Sequence, residues 1–443
     1  MMDKPKDTNS SILERSFRVT SSSQRQLAAF LGVFIVAAWW YWDKPLMYLS
    51  GDSIQYINFA QNLRGYFQSP EYLQPAYIVR TPGYPLLLAG TQALALGDFR
   101  IAVLTLHALF GVIALFSVIN ALKTIIPIPL AAIGFSLLPS LCWEIFPAVM
   151  SEWMVVMSLM ILWSTWIVYL TSHKDKTLYI SSVVTLLLVA IKPLFIFVCL
   201  VPALLAISRG SINQRCYRIT LVGLILSPLL QLMVLNQQRF GVFSVSPAGS
   251  LSFLGVTASL ASAPVSSGDS EQTKAILGYI NERRSSASPS EFSKLGELRA
   301  DSIFQSVSSN YETVIEAPRA LRVEWRDLFS AISLYNRRVI TEHPDLYKQF
   351  VVSGLQSLQL SLLVSFPSFV APLYLLYRRR LVPLAIATLL FFAVHIGATT
   401  IVSFIGIIHN RYYNTTYFPL LVISALSTVC FVRELIAPLP RER

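Results

Sequence analysis

The sequence predicts an all-α, polytopic membrane protein, a bundle of about ten transmembrane helices with further helices lying at the membrane interface. Of the 443 residues, 54% are hydrophobic and only 13% are charged, and the mean hydropathy is +0.56. Soluble domains carry about 25% charged residues, so lipid must surround most of this surface. Lipid leaves only helices or closed barrels as spanning structures. The apolar runs are long and lack the alternation of barrel strands, which favours helices.

Ten apolar segments are predicted to span the membrane. The pair 178–191 and 194–208 could form one long tilted helix, but Lys192-Pro193 favours a tight break between them. Proline removes a backbone donor, and a charge is costly in lipid. The predicted spans are 27–43, 100–122, 128–141, 153–170, 178–191, 194–208, 219–236, 350–376, 381–403 and 413–432.

A further apolar stretch, 84–97, decides the predicted topology. If it lies in the interface, 17 basic and 6 acidic residues fall on one side of the membrane and 18 of each on the other. The positive-inside rule then places both termini in the cytoplasm and the loops 44–99 and 237–349 outside. The pI of about 9.5 is thus a topology signal, and we expect no nucleic-acid partner.

Four regions follow from this topology. They are a cytoplasmic tail (1–26), a transmembrane module (27–236) with its first outer loop (44–99), an outer loop (237–349), and C-terminal transmembrane helices with a cytoplasmic tail (350–443). The outer loop carries 12 basic and 12 acidic residues. Ser288 and Glu291 have capping-box spacing, and helical periodicity follows from Phe292 to Phe304. We therefore expect a folded helical loop that rests on the membrane part.

Charged residues at the outer ends of the predicted spans are candidates for a functional site. Each has a structural explanation: Asp52 as a helix cap, Arg80 as a snorkelling arginine, Glu152 as a helix N-terminal carboxylate capped by Ser151. Together they make a set that could bind a lipid-borne phosphate and activate a hydroxyl. The candidates are Asp52, Arg80, Glu152, Lys192 and Arg411.

The sequences GDSIQYINFAQNLRGYF (51–67) and YIVRTPGYPLLLAG (77–90) resemble the first outer loop of integral-membrane glycosyltransferases with the GT-C fold. The resemblance is to the protein O-mannosyltransferase-like branch that includes the lipid A aminoarabinose transferases. It continues in PAVMSEW (147–153), AIKPLF (190–195) and NRYYNTTYFPLL (410–421). The second acidic position departs from that pattern, because Glu152 stands where the family has aspartate.

This resemblance implies a GT-C-like fold and inverting transfer of a sugar from a polyprenyl-phosphate–sugar donor on the extracytoplasmic side. Asp52 would act as the base or position the acceptor, and Glu152 would be the second catalytic carboxylate. Arg80, Lys192 and Arg411 would hold the phosphate. Tyr56 and Tyr84 would lie beside the lipid head group, where amphipathic rings are favoured.

The remaining predictions concern cofactors, location and alternatives. The family includes enzymes with and without a divalent metal such as Mg or Mn, and no ligand cluster is evident here, so we expect no obligatory cofactor. The four cysteines lie far apart, and we expect no disulfide. The compact loops favour a bacterial inner membrane.

Alternative interpretations are an O-antigen polymerase or ligase, a transporter or flippase of lipid-linked glycans, and a non-catalytic scaffold. The sugar, and whether the acceptor is a glycan, lipid or protein, stay open.

Overall fold

The computed structural model describes residues 51–63, 80–94, 98–123, 125–126, 151–286, 301–379, 381–405 and 410–436. Every regular element among these residues is a helix, which confirms the all-α character of the predicted fold for this part of the chain. The predicted spans 27–43 and 128–141 lie outside the described residues. Five described helices are long and apolar enough to cross a membrane: Ile101–Leu122, Glu152–Ser172, Ile212–Phe240, Val382–Phe404 and Thr415–Glu434.

Three helices form the N-terminal part of the structure: α1 (Gly51–Gln61), α2 (Gly83–Leu94) and α3 (Phe99–Leu122). Helix α2 has 12 residues and so rises about 18 Å, short of the roughly 30 Å of hydrocarbon that a span must cross. It packs between α1 and α3. Its length suits the interfacial placement predicted for 84–97, of which 95–97 lie outside the described residues.

Helix α4 (Glu152–Ser172) is the centre of the bundle and contacts α3, α5 (Asp175–Ile191), α13 (Val382–Ile405) and α14 (Asn410–Ile436). Its three buried tryptophans each donate an indole N–H to a different neighbouring helix. Trp153 donates to the His107 carbonyl at 2.8 Å, Trp163 to Thr388 at 3.3 Å, and Trp166 to Ser181 at 3.0 Å. A buried indole N–H needs a partner, so these bonds help to fix how the helices pack.

The predicted break at Lys192-Pro193 is confirmed. Helix α5 ends at Ile191, Lys192 has extended backbone angles, and Pro193 begins a 3₁₀ segment (Pro193–Cys199) that leads into α6 (Leu200–Ile207). A capping box at Ser211 then starts α7 (Ile212–Phe240), with Ser211 and Gln214 exchanging side-chain-to-backbone hydrogen bonds.

The hairpin of α4 and α5 defines two ends of the bundle. The site end is the one where α4 begins at Glu152 and α5 finishes beside Lys192. The basic end is the opposite one, with His173, Asp175, Arg209 and Arg218. There Arg218 pairs with Asp175 at 2.8 Å, and an Arg209 nitrogen lies 2.5 Å from His173 Nε2. Arg209 and Arg218 belong to the 17 basic residues that the predicted topology puts on the cytoplasmic side, and the structure places both at one end of the bundle.

Residues 241–343, here called the helical unit, follow α7 at the site end. The unit contains α8 (Ala248–Leu260), α9 (Glu271–Arg283), α10 (Asp301–Leu321) and α11 (Trp325–Glu342), packed around a core of their own. Helix α12 (Pro344–Tyr377) returns to the bundle. Near its start the Tyr347 hydroxyl donates to the Phe404 carbonyl of α13 at 2.9 Å. The capping-box residues Ser288 and Glu291 lie outside the described residues.

Candidate functional site

Arg80 lies against helix α1. Its Nε donates to the side-chain oxygen of Gln55 at 3.0 Å, and its guanidinium carbon lies 5.0 Å from the centre of the Tyr56 ring. A guanidinium at this distance over an aromatic face is attracted by the ring's negative face. Two neighbours on one helix thus hold the Arg80 side chain in place, in contrast to the snorkelling arginine considered from the sequence.

The hydroxyl of Tyr56 connects α1 to the start of α4. It lies 3.0 Å from the Ser151 hydroxyl, and both residues are buried. Ser151 occupies the N-cap position of α4 but makes no side-chain cap bond. Ser151 thus stands at the predicted cap position, but its hydroxyl is engaged with Tyr56 and not with the backbone of α4.

Next to Ser151, Glu152 forms an ion pair with Lys192. The Lys192 ammonium donates to the Glu152 carboxylate at 2.9 Å, with 1% of the Glu152 side chain and 13% of the Lys192 side chain exposed. A carboxylate buried to this degree requires a compensating charge or several donors. Glu152 also lies in the first turn of α4, where the helix dipole favours a negative charge.

A close helix contact brings Arg80 towards this ion pair. The Thr81 hydroxyl donates to the Ile191 carbonyl at 3.0 Å. Thr81 follows Arg80 in the chain and Ile191 precedes Lys192, so this hydrogen bond joins the backbone next to both cations. Gly83 permits the contact, since a Cβ there would lie 2.5 Å from the carbonyl carbon and oxygen of Ala190. The start of α2 and the end of α5 are thereby fixed to each other.

Tyr84 and His107 form a buried polar contact that was not predicted from the sequence. The Tyr84 hydroxyl lies 3.2 Å from His107 Nε2, and the Tyr84 ring meets the Tyr56 ring edge-on at 4.9 Å. Burial, followed by the nearby Tyr56 and Glu152, raises the pKa of Tyr84 well above its usual value, so this phenol stays neutral. A histidine inside an apolar run was the only sequence signal, because polar groups are rare at such positions.

Two predicted site residues are placed only by their backbone. Asp52 lies in the first turn of α1, four residues before Tyr56, and Arg411 lies in the first turn of α14. Their side chains lie outside what the structure describes. The structure therefore brings together Arg80, Tyr56, Tyr84, Glu152 and Lys192, while the geometry of the proposed base stays a prediction.

The described side chains of this site can hold an anion. Arg80 and Lys192 supply two cations at the end of an apolar bundle, where weak screening strengthens attraction to a phosphate. Among the residues that the structure describes, no group of three or more His, Cys, Asp or Glu side chains could hold a metal ion. The side chain of Asp52 lies outside the described part of the structure, so this absence does not extend to it.

No protein-family model, curated protein or solved structure matches the chain.

Proposed function

We propose that this protein is an integral-membrane glycosyltransferase of GT-C-like architecture, with about ten spans. It would move a sugar from a polyprenyl-phosphate–sugar donor to a glycan, lipid or protein acceptor on the extracytoplasmic side, with inversion. One observation carries the proposal. Arg80 and Lys192, distant in the sequence, are joined through the Thr81–Ile191 hydrogen bond at one end of the bundle, beside Glu152 and Tyr56.

The two cations suit the phosphate of such a donor. A guanidinium presents five N–H donors in a planar fork that matches phosphate geometry, whereas a lysine supplies a compact positive charge. In the transition state the sugar–oxygen bond breaks and negative charge grows on the departing phosphate. Fixed cations that meet this charge lower the barrier.

Exposed apolar side chains flank the site and suit the prenyl chain. Ile54 of α1 is 55% exposed and Leu86 of α2 is 57% exposed, each on a helix that also supplies a residue of the site. The face of α1 that packs on the bundle is a different one, formed by Ser53, Tyr56 and Phe59. A prenyl tail would lie along the outward apolar surface while its phosphate reaches Arg80.

The two carboxylates take different roles in this proposal. Glu152 is buried and bound to Lys192, so it serves to hold that ammonium in place. Asp52 is the proposed base, which removes the proton from the acceptor hydroxyl as that oxygen attacks the sugar carbon. Sugar–phosphate bond cleavage then releases polyprenyl phosphate.

The test compares the masses of surface glycans, lipids and proteins in cells with and without the gene, and in cells that carry variants. We expect a sugar to be missing without the gene and with Asp52→Asn. Arg80→Gln should lower transfer by about 100-fold or more, as expected for loss of a charged group that stabilises the transition state. The control is Arg215→Gln, which removes an exposed arginine at the basic end and should leave transfer unchanged.

Two outcomes would contradict the proposal at different points. Full modification by Asp52→Asn, at equal membrane levels, would remove Asp52 from the mechanism. Glycans, lipids and proteins of identical mass with and without the gene would reject the glycosyltransferase assignment itself.

A further inference from the structure

We infer that Tyr56 is the positioning residue that aims Arg80 towards the Glu152–Lys192 ion pair. Its ring supports the guanidinium, and its hydroxyl is anchored on Ser151, the residue before Glu152. This inference rests on the proposed function, because it assumes that Arg80 binds the donor phosphate. It assigns a task to a tyrosine for which the resemblance implied only closeness to the lipid head group.

The Tyr56 ring is fixed on several sides. Arg80 lies over its face, the Ser151 hydroxyl meets its hydroxyl at 3.0 Å, and the Tyr84 ring contacts it edge-on at 4.9 Å. Tyr84 is held in turn by His107 at 3.2 Å. With 4% of its surface exposed, Tyr56 has little freedom to move away from Arg80.

An arginine side chain needs such support. It loses rotamer entropy when it is held in one arrangement, so a ligand that must order it binds more weakly. The Thr81–Ile191 hydrogen bond fixes the backbone next to Arg80, whereas Gln55 and Tyr56 contact the guanidinium itself. Tyr56 is the one of these two that also bonds to the start of α4.

Because the Tyr56 and Ser151 hydroxyls contact each other, removing either should remove the same anchor. Tyr56→Phe keeps the ring under Arg80 and loses the anchor, whereas Tyr56→Leu loses both. Ser151→Ala leaves the ring untouched. If the anchor aims Arg80, the double variant Tyr56→Phe with Ser151→Ala should be no worse than either single variant.

The experiment uses the full chain in lipid nanodiscs and measures binding of a polyprenyl phosphate that carries no sugar. We expect Tyr56→Phe and Ser151→Ala each to weaken binding by about three- to tenfold, as for loss of one hydrogen bond. Tyr56→Leu should weaken it by about a further two- to fivefold through loss of the cation–π contact. The matched control is Tyr169→Phe, which removes a buried hydroxyl that donates to the Leu205 carbonyl near the basic end and should leave binding unchanged.

The outcomes separate the two proposals. No binding of the probe to the unmodified protein would overturn the phosphate site, and this inference with it. Binding that is lost in Arg80→Gln but unchanged in Tyr56→Phe and Ser151→Ala would overturn the positioning role alone. The unfolding temperature without probe is measured for every variant. Additive losses in the double variant, in step with lowered unfolding temperatures, would assign Tyr56 to structural packing and also overturn the role.

Discussion

Gly83 lies where α2 begins, and its lack of a side chain has a direct consequence for the site. Backbone atoms of Ala190 occupy the place where a Cβ would lie. Backbone cannot move aside as a flexible side chain can, so any larger residue would push α2 away from α5. That displacement would also separate Thr81 from the Ile191 carbonyl and shift Arg80 relative to Lys192.

We predict that Gly83→Ala lowers the stability of the protein by about 1–3 kcal/mol, the usual cost of inserting atoms into a packed interface. Gly90→Ala is the matched control on the same helix, because a Cβ there meets nothing within 4 Å. It should be neutral or stabilising by up to about 1 kcal/mol, since alanine favours helix over glycine. Thermal unfolding in detergent measures both, and equal effects of the two variants would contradict the packing argument.

Between α8 and α9 the chain is held to α11 by one ion pair. Arg338 binds both carboxylate oxygens of Asp269, at 2.6 and 2.7 Å, and also donates to the Pro264 carbonyl at 2.8 Å. The backbone N–H of Ser266 donates to the same carboxylate. Bidentate pairs of this kind constrain geometry more than single surface bridges do. The pair thus connects the extended segment 261–270 to α11 of the helical unit.

This pair predicts a dependence of stability on pH. Hydrogen bonds from Arg338, and then from the Ser266 backbone, lower the pKa of Asp269 to about 2, compared with about 3.9 in an unfolded chain. Because the folded pKa is the lower one, the contribution is complete above about pH 4 and is lost as the pH falls from about 4 to 2.

We expect Asp269→Asn to lower the unfolding temperature at pH 7 and to flatten its decline between pH 4 and 2. Unfolding scans of the full protein across this range provide the measurement. Glu271→Gln serves as the control, since the Glu271 side chain is 91% exposed and pairs with Lys274 one turn along its own helix. An unchanged pH profile in Asp269→Asn would show that the pair does not stabilise the unit.

Basic side chains gather at one of the two ends of the bundle. His173, Arg209 and Arg218 gather at the basic end, and the side chain of Arg433 reaches the Ile125 carbonyl, after the end of α3. The helical unit lies at the other end. If the positive-inside rule holds, the basic end is cytoplasmic and the unit is outside.

Cysteine labelling tests this orientation. Ser267 of the helical unit and Cys216 of α7 are both exposed and lie towards opposite ends. The first variant carries Ser267→Cys with all native cysteines replaced by alanine; the second keeps Cys216 alone. An impermeant thiol reagent should label the first in intact cells and the second only after permeabilisation. The reverse pattern would invert the proposed topology and place the site in the cytoplasm.

Much of the fold could be predicted from local properties of the chain. The helices α3 to α7 and α12 to α14 lie where hydropathy predicted apolar segments, because in lipid a long apolar run has no alternative to satisfying its own backbone hydrogen bonds. The break at Lys192-Pro193 is also a local property, because proline removes a backbone hydrogen-bond donor at its own position in the chain. Arg80, Glu152 and Lys192 stood out because charges are scarce in such a sequence.

Tertiary structure alone decided which of these residues meet. Tyr56 and Ser151 are 95 residues apart, and Thr81 and Ile191 are 110 apart. Whether such pairs touch depends on how the helices pack and rotate against each other, which no local pattern specifies. For that reason the sequence does not reveal that the Ser151 hydroxyl contacts Tyr56 in place of the α4 backbone, or that Tyr84 contacts His107. Composition determined a helical membrane protein with rare charges, whereas helix packing placed Arg80, Glu152 and Lys192 at the same end of the bundle.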